Sequence, residues 1–355
     1  MQAFWISLLL AVSAFAVAQS SDPAHTPWQM QESGTAANLR GIDSVDGTVA
    51  WASGTGGTVL KTIDGGAHWT KCAVPDAAAD GAMLDFRGVQ AFGAKAAFVM
   101  SSGKGKLSRL YKTTDGCRTW KLIFTNPDKD GFWDALLLNR FDRDGEILGD
   151  PVDGEFVFFE TEDQGITWKP EHLHGLKAKP YETAFAASNS AMFLDERYGT
   201  GFVTGAPSGA RVFFSEDTSD NGKFTARPLP ISLGSMSGGS FSIDTRDWCC
   251  RVAVGGNYLK PNESIGTAVY TRDGGVHWLS ATTPPHGYRS AVQWGDALKA
   301  WITVGTNGSD ISRDHGKTWQ PVDDGKWNAL SLPFVVGPSG RIARINPAAL
   351  PHSMP

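Results

Sequence analysis

The octet TIDGGAHW, Thr62–Trp69, places a Thr, an Asp, a Gly and a Trp at offsets 0, 2, 4 and 7. The pattern returns as TTDGCRTW from Thr113, TEDQGITW from Thr161, TRDGGVHW from Thr271 and SRDHGKTW from Ser312. A further copy, SEDTSDNGKF from Ser215, is eroded, with two extra residues and Phe224 in the Trp place. Recurrence at fixed offsets marks a repeat architecture and takes precedence over any single residue.

The octet has the chemistry of a tight turn between two strands. Apolar or alternating runs (TVLKT, EFVFFET, GTAVYT) precede it, and the Trp opens another extended run. An Asp at the start of such a turn accepts backbone N–H groups further on, while the Gly supplies a positive φ without steric cost. The second copy has Cys117 in the Gly place, so that turn is expected to be altered. Asp64, Asp115, Asp163, Asp273 and Asp314 are therefore read as structural staples rather than as metal ligands or catalytic carboxylates.

Composition agrees with a turn-rich all-β chain: 355 residues with 41 Gly, 19 Pro and only 19% charged residues. A net charge of −5 without basic runs argues against a nucleic-acid partner. The apolar run Phe4–Val17 ends in AVAQ, where Ala16 and Ala18 form a small-x-small cleavage site. Residues 1–18 are accordingly expected to be a signal peptide, and residues 19–355 a single secreted or periplasmic domain without a membrane span. Four cysteines allow three pairings. Cys72 and Cys117 lie near the same end of consecutive repeats and can pair, whereas a bond between the neighbours Cys249 and Cys250 would be strained. With no CxxC, metal spacing or dinucleotide fingerprint, no cofactor and no metal are expected.

Intervals between successive Asp positions (64, 115, 163, 217, 273, 314) are 51, 48, 54, 56 and 41 residues. Repeats of that length, each holding four short strands a to d, have the form of β-propeller blades with the octet at the c–d turn. After the last octet come WNALSL, PFVVGPSG and RIARIN, three strands without a fourth. PWQMQES, Pro27–Ser33, is a spare d strand near the other end. One blade built from both ends gives a closed ring of seven and hides its sheet edges; six blades with an unpaired tail is the alternative count.

These octets resemble Asp-box repeats, also called bacterial neuraminidase repeats. Over residues 28–346 the order, with details such as AWASGTGGTVLKTIDGGAHW and VVGPSGRIARI, is similar to the seven-bladed photosystem II stability/assembly factor-like propellers. The resemblance implies a fold more than a function, since Asp-boxes also occur in sialidases, xyloglucanases and sorting receptors.

In an up-and-down blade the c–d and a–b turns share one face, so the Asp-boxes mark the bottom. The b–c turns and d–a crossovers form the top, around the channel mouth, where a ligand site is sought. Arg40, Arg87, Arg211, Asn257, Tyr258, Tyr288, Arg289, Asn307 and Asp310 fall there, and Arg87, Arg211 and Arg289 are expected to converge on an anionic group. The rival is that each arginine ties blades together through a carboxylate. Asp134, Asp150 and Glu182 share this face and are the candidates for a glycosidase carboxyl pair. Against a sialidase, Arg40 is followed by Gly rather than by an Arg-Ile-Pro motif. A xyloglucanase would carry two such propellers. The expected function is thus a non-catalytic binding or assembly module that takes a protein segment, an anionic small molecule or a glycan, with a glycoside hydrolase as the alternative.

Overall fold

A computed structural model describes residues 26–351 apart from 76, 80, 140–143, 172, 196–198, 216–221 and 232–233. The signal-peptide expectation and most of the eroded fourth octet lie outside the described residues. Within them the chain forms seven four-stranded antiparallel sheets and one two-stranded ribbon, so the fold is an all-β, seven-bladed propeller. Blade 1 runs Leu39–Ser44, Ala50–Gly54, Thr58–Thr62 and Thr70–Cys72, from the channel outward. Blades 2 to 6 begin with the a strands Phe86–Ala91, Trp133–Leu138, Met192–Asp195, Gly238–Thr245 and Ala291–Gly295. Blade 7 takes Ala329–Ser331, Phe334–Val336 and Ile342–Ile345 from one end of the chain and Trp28–Gln31 from the other. No helix among the described residues is long and apolar enough to cross a membrane.

Burial explains the strand compositions. The b strands Ala50–Gly54, Ala97–Ser101 and Ala300–Gly305 are buried at every position, whereas the d strands are short and half open. Apolar clusters sit between consecutive blades rather than in one central core. Trp51 and Val59 of blade 1, for example, pack on Phe86, Val99 and Tyr111 of blade 2. The octet tryptophans face back onto the preceding blade. Trp69 meets Phe334 edge-on, Trp120 meets Trp51, and Trp168 and Trp319 join the clusters of Phe98 and of Val252.

The Asp-box repeats one hydrogen-bond scheme. In the first, the Thr62 hydroxyl donates to Asp64 Oδ1 at 2.8 Å and accepts the Gly66 amide at 2.9 Å. Asp64 Oδ1 also takes the His68 amide at 2.9 Å, and its Oδ2 meets His68 Nδ1 at 2.7 Å. In the third box Thr161, Asp163, Gly165 and Thr167 reproduce the scheme, and in the sixth Ser312, Asp314, Gly316 and Thr318 do so. Two successive residues, at offsets 3 and 4, have positive φ. Cys117 adopts φ 68° in the Gly place and is disulfide-bonded to Cys72, so its side chain is used to tie blade 2 to blade 1.

A second set of bonds encircles the channel. Asp43 accepts the Ala91 amide at 2.7 Å, and Gln90 pairs with the Leu138 amide and carbonyl at 2.8 and 2.6 Å. Asn189 pairs likewise with Leu136 at 2.8 and 3.1 Å, and Ser190 donates to Ser242 at 2.7 Å. Asp244 takes the Trp294 amide and Gln293 the Leu332 amide, both at 2.7 Å, and Ser331 takes the Ser44 amide at 2.9 Å. Each blade is thereby latched to the next, and the seventh to the first. Closure is reinforced by Trp28, whose strand pairs with Ile342–Ile345 and whose indole N–H donates to Ser309 at 2.9 Å. Gln31 donates to the Gly65 carbonyl at 3.1 Å and accepts the Trp69 indole N–H at 3.0 Å.

Two outcomes are expected. Removing residues 27–33 bares the edge of Ile342–Ile345 and lowers the melting temperature sharply; a truncated chain that melts like the full one contradicts the closure. Gln90→Ala strands a buried amide and carbonyl and costs about 1–3 kcal/mol in urea unfolding. A loss well below that range means the latches carry little.

Candidate functional site

The top end of the channel holds a cavity of about 510 Å³. Its construction begins at the first residues of the a strands. In blades 1, 2, 3 and 5 the pairing of a with b slips by one residue, and the extra residue is Arg40, Arg87, Asp134 and Phe241 respectively. A bulge re-aims the side chain of the unpaired residue, and Arg40, Arg87 and Phe241 all line the cavity. The crossover into blade 4 adds Phe185, Ala186 and Ala187, that into blade 6 adds Tyr288 and Ser290, and Asn38, Tyr258, Thr306 and Asn328 complete the lining.

Two guanidiniums meet here. Arg87 donates to Asp85 at 2.8 Å and to the Ala186 carbonyl at 3.3 Å. Burial lowers the pKa of Arg40, and the neighbouring Arg87 charge lowers it further, against the pull of Asp85. Its Nε is buried without a hydrogen-bond partner. Opposite stands an aromatic wall: Phe185 stacks on Phe241 with centroids 3.9 Å apart, and Tyr288 and Tyr258 meet Phe241 edge-on at 4.9 and 6.1 Å. The lining contains no carboxylate. Such a site is cationic at one side and apolar at the other, which suits an anionic group carried on an apolar body.

The structure corrects the expected convergence of Arg87, Arg211 and Arg289. Arg211 is bound through Nε and Nη2 to Glu182, donates to the Lys177 carbonyl at 2.9 Å and lies over the Phe213 ring. Arg289 is fully buried, bound through Nε and Nη2 to Asp310, and donates to Asn307 Oδ1 at 2.6 Å. Two desolvated arginines thus already have their carboxylates, as the rival reading of the sequence required. Asn257 is likewise structural, accepting the Ser237 hydroxyl at 2.8 Å and the Leu259 amide at 3.0 Å. Of the top-face residues singled out from sequence, Arg40, Arg87, Tyr258 and Tyr288 reach the cavity. Sequence reasoning missed Phe185 and Phe241, Asn38 and Asn328. The a-strand starts LRG and FRG, where a charged residue sits between an apolar one and glycine, signal Arg40 and Arg87 but none of these four.

The carboxyl candidates have other surroundings. Asp134 is 1% exposed, and burial raises its pKa well above the ordinary range, with Asp150 adding and Arg87 opposing. Asp150 accepts the Thr183 hydroxyl and the Ala184 amide, and burial lifts it to about 6. The two carboxyls are near enough for the Asp150 charge to raise Asp134 further, and Asp134 Oδ2 is buried without a hydrogen-bond partner. Glu182 is buried against Thr204 and Arg211.

Fold and site together define a seven-bladed Asp-box β-propeller with a cationic, aromatic-walled mouth. The BNR/Asp-box repeat model matches residues 310–321, which contain the sixth octet. Among solved structures, YCF48 bound to D1 peptide is similar at 16% identity and a TM-score of 0.62, over 90% of this chain and 97% of that one. YCF48 from Cyanidioschyzon merolae is similar at 19% identity and a TM-score of 0.60, over 91% and 99%. An ancestral GH74 enzyme shares the fold at 12% identity and a TM-score of 0.53, over 87% of this chain but 41% of its own. No functionally curated protein matches the sequence.

Titration gives this architecture a pH signature. Burial lifts Asp150 and Asp244 to about 6 and Glu146 to about 8, so these groups favour folding while protonated. Their contribution is full below about pH 4, the ordinary carboxylate range, and is lost as pH rises through their folded values. The Asp-boxes act oppositely. The His68 amide and imidazole hold Asp64 at about 2, and the Thr119 hydroxyl and amide hold Asp115 at about 2. That contribution is present above about pH 4 and is lost as pH falls through about 2. The melting temperature is therefore expected to peak between about pH 4 and 6 and to be lower at about pH 8.5, with Asp244→Asn narrowing the difference. A melting temperature that climbs from pH 5 to 8.5 contradicts this assignment.

Proposed function

We propose that this propeller is an exported, non-catalytic binding or assembly module whose channel mouth holds a protein segment by an anionic group, a terminal carboxylate or acidic side chain. The observation that carries the reading is the cavity itself: two guanidiniums, one with an unpartnered buried Nε, face an aromatic wall in a lining without a carboxylate. A carboxylate placed between Arg40 and Arg87 relieves their mutual repulsion and accepts charge-assisted hydrogen bonds. Neighbouring apolar side chains of the segment then pack on Phe185, Phe241 and Tyr258. A structure of similar fold, YCF48 bound to D1 peptide, supports this reading. Export rests on the apolar run Phe4–Val17 with its small-residue site and on the Cys72–Cys117 disulfide, a bond suited to an oxidising compartment.

Glycoside hydrolysis is the second reading. It draws on the Asp134–Asp150 pair and the shared fold of a GH74 enzyme. The pair lies outside the cavity lining, where a sugar would need it.

Peptides ending in a free carboxylate after aromatic or aliphatic residues, with their amidated counterparts, test the proposal by calorimetry. Arg40→Gln or Arg87→Gln is expected to weaken binding about 10- to 100-fold, the worth of one charge-assisted bond. The amidated peptides lose a similar factor, and Asp163→Ala on the bottom face lowers the melting temperature and leaves binding intact. A wild type that binds none of these peptides, or that cleaves xyloglucan or sialosides with dependence on Asp134, overturns it.

A further inference from the structure

We propose that Asp247, Cys249 and Cys250 form a binding site for one thiophilic divalent cation, zinc or cadmium in kind, on the bottom face of blade 5. The three residues occupy the turn between the strands Gly238–Thr245 and Arg251–Asn257. Among the described residues they are the one group of three or more His, Cys, Asp or Glu donors whose ligand atoms all lie within 4.8 Å of one another.

The geometry is that of a chelate. Cys249 Sγ and Cys250 Sγ are 3.1 Å apart, and Cys249 Sγ is 3.1 Å from Asp247 Oδ1. Two zinc–sulfur bonds of about 2.3 Å reach across that gap from a single ion, and a carboxylate oxygen supplies a third ligand. Water would take the fourth position, as in open zinc sites. The turn is already fixed by Asp247 Oδ1, which accepts the Cys249 and Cys250 amides at 3.0 and 2.9 Å. It is also anchored to its own Asp-box, where the Gly274 amide donates to the Cys249 carbonyl at 3.0 Å. Little order has to be created on binding.

The loaded site is charge-balanced. Arg246 donates to Asp247 Oδ2 at 2.7 Å and to Cys250 Sγ at 3.2 Å, and is itself held by His315 Nδ1 at 2.6 Å and by the Trp294 ring. Two thiolates, one carboxylate, one guanidinium and a divalent cation together carry no net charge. Binding is an exchange: the ion takes two sulfurs as thiolates and two protons leave to solvent, one of them the proton that Cys249 now shares with Asp247. The pair is available as thiols for a steric reason. Neighbouring Cα atoms on a trans peptide are about 3.8 Å apart, below the span of an ordinary disulfide, unlike Cys72 and Cys117. Soft sulfur ligands select zinc and its heavier congener over magnesium or calcium. The site lies on the opposite face from the channel mouth, so its test is independent of ligand binding there.

The experiment uses the full chain, purified without reductant. Free-thiol counting is expected to find two reactive thiols, and cadmium titration an ultraviolet sulfur-to-metal charge-transfer band that saturates at one ion per chain. Zinc is expected to shield both thiols from alkylation and to compete with cadmium. Cys249→Ser, at a half-buried position, abolishes the band while the melting temperature stays near that of wild type. Arg246→Gln keeps all three ligands and weakens cadmium binding about tenfold, as loss of an outer-shell partner does. No free thiols, no band, or a band that persists in Cys249→Ser overturns the site.

Discussion

The latches around the channel are the interaction on which the rest of the structure depends. Each blade is a twisted sheet with two apolar faces and cannot bury both without neighbours on either side. Apolar packing holds adjacent blades together without fixing their register. The bonds from Asp43, Gln90, Asn189, Ser190, Asp244, Gln293 and Ser331 supply that register, because each ties a side chain in or beside one a strand to the next blade. Once the a strands are fixed, the positions of their bulged first residues are fixed too. The channel mouth is therefore a consequence of ring closure, and Arg40 and Arg87 face one another because blades 1 and 2 are latched.

A division of labour follows between the two faces. On the bottom, each Asp-box closes the hydrogen bonds of its own Thr or Ser hydroxyl and Asp carboxylate within eight residues. Even a non-glycine at the positive-φ position is accommodated, as Cys117 shows. The top-face loops are relieved of closing the sheets and can differ from blade to blade. Blades 4 and 6 use theirs for the Arg211–Glu182 and Arg289–Asp310 pairs, while blades 1, 2 and 5 direct cations and an aromatic ring into the cavity. Burial raises Asp134 and Asp150 above the ordinary carboxylate range, and a protonated Asp134 leaves Arg87 less neutralised than an ionised one would.

The fold was legible in the sequence because its signal is periodic. The octets fix the c–d turns, and the spare strand at Trp28 fixes the closure. Four of the latches rest on glutamine or serine, residue types with no periodic signature, and the latches as a group vary among Asp, Gln, Asn and Ser. They were invisible for that reason. The site was legible in part. Arg40 and Arg87 stood out as charges at a-strand starts, but Arg211 and Arg289 looked the same in sequence. Only the three-dimensional placement of Glu182 and Asp310 shows that Arg211 and Arg289 are held away from the cavity that Arg40 and the Asp85-paired Arg87 line. Phe185 and Phe241 escaped because an aromatic residue in a β-rich chain reads first as core.

Side-chain Nε–Hε resonances of the arginines, followed by NMR during titration with a carboxylate-terminated peptide, test the central claim most directly. Arg40 and Arg87 are expected to shift together and saturably, while Arg211 and Arg289, held by their buried carboxylates, stay in place. Shifts confined to Arg211 and Arg289, or to the arginines of the bottom face, would contradict a binding site at the channel mouth.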